Sequence, residues 1–117
     1  MWAMTMQEPT FFILTALVRA TPLHGYGIIQ AVEQLSGGRV KLKAGTLYAA
    51  LDRLSAEGLI VVDREEAVGG RLRRYYVLSD DGRAALEAAV ERLQSNAQVA
   101  SSRLREAFGF IGGVRHV

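Results

Sequence analysis

Residues 45–60 read GTLYAALDRLSAEGLI and residues 70–86 read GRLRRYYVLSDDGRAAL, and the change of period from one to the other decides the fold. In the first stretch Leu47, Tyr48, Leu51 and Leu54 recur at helical spacing and Gly58 supplies a stop, which predicts a helix over about 45–57. Leu59, Ile60, Val61 and Val62 then form a short strand-like run, and residues 72–78, with Tyr75, Tyr76 and Val77, form a second. Residues 63–71 between them contain Gly69-Gly70, so a β-hairpin with a charged tip is expected. Ser79 stands where an N-cap belongs, and the charges of Asp80 and Asp81 suit the positive end of a helix dipole.

Upstream, the basic link RVKLK (39–43) is preceded by a helical pattern from Tyr26 through Ile28, Ile29, Val32 and Leu35, stopped at Gly37-Gly38. The segment TPLHG (21–25) breaks the pattern. Before it, residues 9–19 are apolar on nearly every side and open with Pro9, which suits a first helical turn, so they read as a buried helix. Downstream, Leu86, Val90, Leu93, Ala97, Ala100, Leu104 and Ala107 alternate spacings of four and three, presenting one stripe to a partner helix. The expected class is mainly α with a small β-hairpin: a winged helix-turn-helix over 1–78, then a C-terminal dimerisation helix and tail over 79–117, frayed beyond 108.

Composition narrows the function. The 117 residues are half hydrophobic, enough for one small core, and include no cysteine, which excludes disulfides, thiolate metal sites and cysteine nucleophiles and fits a reducing cytoplasm. The apolar run 11–18 is too short for a bilayer, which needs about 20 residues, and no basic stretch precedes it as in a signal peptide. A cytoplasmic protein without membrane attachment is expected. The net charge of +2 is unevenly spread: residues 39–76 hold eight bases against five acids, a local surface that can attract phosphates. Catalysis finds no support, since His24 lies in a turn and His116 in the tail, no nucleophile and base stand at a usable spacing, and no phosphate-cradling glycine loop follows a strand. No metal or cofactor is expected.

A helix that enters a major groove about 12 Å wide needs small residues at its leading end and polar ones outward. Ala44, Gly45, Thr46, Ala49 and Ala50 meet the first need. Thr46 can bond a phosphate or a base edge, and Arg53, one turn beyond Ala49, can reach the backbone or a guanine; the plainer reading is that Gly45-Thr46 caps a core helix. Tyr48 reads as core packing against the second helix with its hydroxyl free to reach a phosphate. Arg71, Arg73 and Arg74 follow the glycines of the hairpin, where phosphate or minor-groove contact is expected. Alternation along the strand sets Arg74 with Leu72, Tyr76 and Leu78, toward the recognition helix, and opposite Arg71, Arg73 and Tyr75.

The stretches HGYGIIQAVEQLSGG (24–38), GTLYAALDRLSAEGLI (45–60) and GRLRRYYVLSDDGRAAL (70–86) together resemble the PadR family of transcriptional regulators. The resemblance implies a dimeric winged-helix repressor of the compact kind with a single C-terminal helix. Its partners would be a palindromic double-stranded operator and a second copy, with a small-molecule effector possible in kind but not named by any residue. It also implies DNA-facing roles for Tyr26, Gly45, Thr46, Tyr48 and Arg53, with Arg71, Arg73 and Arg74 in the wing. Where the family often has Ser-Pro before Gly-Thr this chain has Lys43-Ala44, which removes an N-cap and, with Lys41, adds cations on the DNA side. Some relatives stack flat drugs on an aromatic of the C-terminal helix, but no aromatic lies between Tyr76 and Phe108, and the only tryptophan, Trp2, is near the N-terminus. The competing reading is a winged-helix module that binds protein through the long helix and leaves DNA alone.

Overall fold

In the computed structural model, which describes residues 6–109, a helical head is built from α1 (Glu8–Ala16), α2 (Gly25–Leu35) and α3 (Ala44–Ala56). Ile13 and Leu14 of α1, Ile28 and Val32 of α2, and Leu47, Leu51 and Leu54 of α3 are fully buried and meet in one core. The spacing of the last three, four and three residues apart, makes one stripe of α3 face inward and turns Gly45, Ala49 and Asp52 outward. Ser36 locks the link between α2 and α3. Its buried hydroxyl donates to the Glu33 carbonyl at 3.2 Å and accepts from the Val40 N–H at 2.9 Å, which pins Val40 into the core.

The wing is a three-stranded antiparallel sheet ordered β1-β3-β2, from β1 (Leu23–His24), β2 (Ile60–Val68) and β3 (Arg71–Leu78). This corrects the expected hairpin in two respects. Residues 63–68 are strand, not tip, and 64–68 are paired: Glu65 opposes Arg74 and Glu66 opposes Arg73 across the ladder. The turn shrinks to Gly69 and Gly70, whose φ values of 57° and 78° give the left-handed pair that a two-residue hairpin turn requires. Within the TPLHG break, Leu23 and His24 pair with Tyr76 and Tyr75, a third strand too short to leave a periodic signal. The ladder shifts register between Val62 and Arg64, a bulge that leaves Asp63 unpaired.

The fourth helix, α4 (Asp80–Phe108), has 29 residues and a length of roughly 43 Å, and it extends the molecule to 60 Å along its longest axis. Its start is fastened to the sheet. The Ser79 hydroxyl accepts from the Gly82 N–H at 2.9 Å, the N-cap its position predicts, and donates to the Gly58 carbonyl at 2.6 Å. Gly82 lies against the Leu59 carbonyl so closely that a Cβ would overlap it. Ala85, Leu86 and Ala89 complete the core beside α1. Leu86, expected on the association stripe, therefore belongs to the protomer's own interior. Val90, Leu93, Val99, Leu104 and Phe108 are exposed. Helix α1 ends at Ala16, short of the expected residue 19, with Val18 exposed. Trp2, His116 and the tail expected to fray beyond Gly109 lie outside the described residues.

Candidate nucleic-acid interface

A cleft of about 420 Å³ opens between the helical head and the wing. Tyr26, at the start of α2, and Tyr48 and Asp52 of α3 form one side, and Val68 of β2 with Arg71, Leu72, Arg73, Arg74 and Tyr76 of β3 form the other. Tyr48 is not the core residue that its spacing suggested: it is 48% exposed, because its ring lies across Gly25, where a Cβ would overlap the hydroxyl. A glycine at the start of α2 thus makes room for the hydroxyl end of a tyrosine from α3. Tyr26 beside it is exposed as well. Sequence reading missed Asp52, an acid that the helical period sets next to Tyr48 on the outer surface of α3.

On the wing side, alternation puts Leu72, Arg74 and Tyr76 on one face of β3. Tyr76 is buried, and its proximity to Tyr48 and Asp52 shows that this face looks toward α3, as expected for Arg74. Burial pushes the Tyr76 hydroxyl's pKa up, against the opposing pull of Arg74. Arg74 Nε donates to Glu65 Oε2 at 2.7 Å, and its pKa is raised by that carboxylate first and by the Tyr76 hydroxyl second. Both groups are exposed to solvent at this pair, so it orients Arg74 more than it stabilises the wing.

The opposite face carries a network the sequence reading did not foresee. Arg64 lies over the Tyr75 ring at 3.9 Å and donates to Glu66 Oε2 at 3.2 Å, while the Tyr75 hydroxyl donates to Glu66 Oε1 at 3.2 Å. Those two bonds, Arg64 first, hold the Glu66 carboxyl below its usual range. His24 meets the edge of Tyr75 with ring centroids 5.4 Å apart. Its pKa is lowered, by partial burial first and by the Arg73 charge second, so the imidazole favours its neutral form. The signal available in the sequence was the Arg64–Glu66 spacing of two, which shares a face only once residues 63–68 are known to be strand.

The remaining candidates are distributed as follows. Gly45 and Thr46 are exposed at the leading end of α3, and Lys41 and Lys43 are exposed just before it. Lys43 occupies the N-cap position with no side-chain cap bond, since a lysine side chain has no acceptor to offer the helix N–H groups. Arg53, on the same line of α3 as Thr46, donates from Nη2 to Thr10 Oγ1 of α1 at 3.1 Å, so its guanidinium is engaged by the scaffold. Arg71 and Arg73 take no part in an ion pair among the described residues. A second groove, of about 390 Å³, lies between Phe11 and Phe12 of α1 and Ala89, Leu93 and Asn96 of α4. Among the described residues no three metal-ligating side chains cluster, and no helix is long and apolar enough to cross a membrane.

Three helices in the head, an arginine-bearing hairpin beside the outer surface of α3, and a long C-terminal helix define a winged helix-turn-helix regulator. The PadR-like transcriptional regulator family model matches residues 13–88, and the chain belongs to that family. It is 42% identical over 64 residues to transcriptional regulator Rv3488 of Mycobacterium tuberculosis, covering 55% of this chain and 56% of that protein. It is also 42% identical over 84 residues to an uncharacterised 37.1 kDa protein in transposon TN4556 of Streptomyces fradiae, covering 72% of this chain and 22% of that protein. The chain thus spans about half, or less, of these relatives' length. Among solved structures it resembles a PadR family regulator from Clostridium difficile R20291 (TM-score 0.66, 25% identity, 84% of this chain and 99% of that one). It also resembles Bacillus subtilis PadR in complex with operator DNA (TM-score 0.60, 28% identity, 69% of this chain and 46% of that one).

Proposed function

We propose that this PadR family regulator is a cytoplasmic, non-enzymatic repressor that binds a palindromic operator as a homodimer and is released by a small molecule or other signal. The carrying observation is the cleft itself: Tyr48 and Asp52 on the outer surface of α3 and the arginines of the wing line one opening. Operator DNA bound to the similar Bacillus subtilis PadR supports the reading. With α3 in the major groove, Gly45, Thr46, Ala49 and Asp52 stand toward the base edges, and Lys41, Lys43, Tyr26 and Tyr48 toward phosphates. Arg53 reaches DNA only by sharing or giving up its bond to Thr10. The exposed stripe Val90, Leu93, Ala97, Ala100 and Leu104 on residues 79–117 supplies the two-fold contact, and the dimer sets two half-sites about one helical turn, 34–36 Å, apart.

The test compares specific with random DNA. Thr46→Ala and Arg53→Ala weaken binding to the selected operator by about 1–3 kcal/mol more than binding to random duplex, if each reads a base. Equal losses on both DNAs place them on the backbone. A protein-binding module without DNA affinity is the second reading, kept by the unpartnered length of α4; absence of salt-sensitive binding to any duplex would favour it.

A further inference from the structure

Asp52 is the only acid in α3 and, among the described residues, the only acid lining the cleft, where it stands with Arg71, Arg73 and Arg74. It is exposed, and it forms no ion pair among the described residues. Arg74, the cation whose strand face looks toward α3, is engaged by Glu65 of its own sheet. The fold gains nothing from the carboxylate. An acid toward the C-terminal, negative end of a helix is unfavourable, and aspartate is among the weaker helix formers.

Toward DNA, a carboxylate can only accept hydrogen bonds. Phosphates repel it, and on the floor of the major groove only cytosine N4–H2 and adenine N6–H2 donate. The adenine donor lies between two acceptors, its own N7 and the thymine O4, whereas the cytosine donor has one, the guanine O6, and an apolar C5–H on its other side. A carboxylate therefore favours cytosine. The aspartate side chain is short, so it reaches only the base pair beneath the third turn of α3. Thr46 lies six residues earlier, about 9 Å along the helix axis, which is more than two base-pair steps of about 3.4 Å, so the two residues address different pairs.

Building on the major-groove reading above, on which it rests, we infer that Asp52 is a specificity-determining residue: its carboxylate accepts from cytosine N4 once in each half-site and rejects the other bases there. It works by exclusion as well as by contact. Above a guanine or a thymine the carboxylate faces acceptors only and is left unpaired among phosphates. Asp52 thus lowers affinity for duplex DNA in general and spares one base, while the arginines of the wing supply the general attraction from which it subtracts.

The experiment selects duplexes from a random-sequence pool with the full chain and repeats the selection with Asp52→Asn, Asp52→Ala and Thr46→Ala, each checked for helical circular dichroism. The unaltered protein enriches cytosine at one symmetric pair of positions, and replacing that base lowers affinity roughly tenfold. Asp52→Asn, whose amide can bond both N6 and N7 of adenine, enriches adenine at the same positions. Asp52→Ala accepts any base there and binds random duplex roughly threefold more tightly, as removal of one negative charge about 7 Å from a phosphate in water implies. Thr46→Ala leaves the cytosine in place. Identical enriched sequences for the unaltered protein and Asp52→Asn overturn the inference, as does a cytosine preference that survives Asp52→Ala. Failure of the unaltered protein to enrich any duplex instead removes the DNA-binding reading itself.

Discussion

Helix α4 carries one apolar stripe along its whole length, but its first three turns or so and the remainder lie in different surroundings. Near the start, Gly82, Ala85, Leu86 and Ala89 are buried against the sheet and α1. Farther on, residues of the same spacing, Val90, Leu93 and Leu104, are 36%, 53% and 47% exposed. The periodic pattern is continuous while the environment is not, so an amphipathic pattern fixes which face will be covered and leaves open what covers it. The proximal part of α4 belongs to the fold, and the distal part is available for association.

The sharpest separation comes from charging the two parts in turn. Leu86→Asp puts a carboxylate into the protomer's core and should cost at least about 4 kcal/mol, leaving the head unfolded at every protein concentration by circular dichroism. Leu93→Asp should leave a protomer folded, yield a monomer in sedimentation and lose operator binding. A Leu93→Asp protein that stays dimeric would take the association role away from the distal stripe and break the division proposed here. A smaller effect is expected at the seat of the helix. Ser79→Ala removes both the cap on Gly82 and the bond to the Gly58 carbonyl, and should lower stability by about 1 kcal/mol in thermal unfolding without changing the oligomeric state.

The residues that were legible from sequence are those whose role is local. Ser79 could be assigned as a cap, and Gly69-Gly70 as a turn, because capping and turn chemistry involve near neighbours. The buried faces of α2 and α3 followed from period alone. What stayed hidden depends on partners distant in the chain. Arg53 is tied to Thr10, 43 residues away; Leu86 and Leu93 share one stripe yet are 9% and 53% exposed; the hydroxyl end of Tyr48 sits where a Cβ on Gly25 would stand. The charged residues 63–68 carry no apolar alternation, so they resembled a loop although cross-strand charge pairing holds them as strand. Of the candidate interface, the residue types of α3 and the wing were readable, whereas the network of His24, Arg64, Glu66 and Tyr75 required the register.

That register depends on the single bulged residue of the wing. If β2 and β3 continued in the phase that pairs Ile60 with Leu78 and Val62 with Tyr76, Arg64 would stand opposite Arg74, and Glu66 opposite Leu72. Two guanidinium groups would then repel across the ladder, and the connection between the strands would lengthen to three residues. By stepping out of the ladder, Asp63 advances the rest of β2 by one position. The like-charged pair of Arg64 with Arg74 is avoided, Glu65 takes Arg74 in place of Arg73, Glu66 takes Arg73 in place of Leu72, Arg64 falls over the Tyr75 ring, and the strands close on a two-residue turn. One extra residue in the strand thus acts as a phase shifter for the charges of the whole wing: pairing it into the ladder would scramble them, whereas deleting it would leave every cross-strand partner in place.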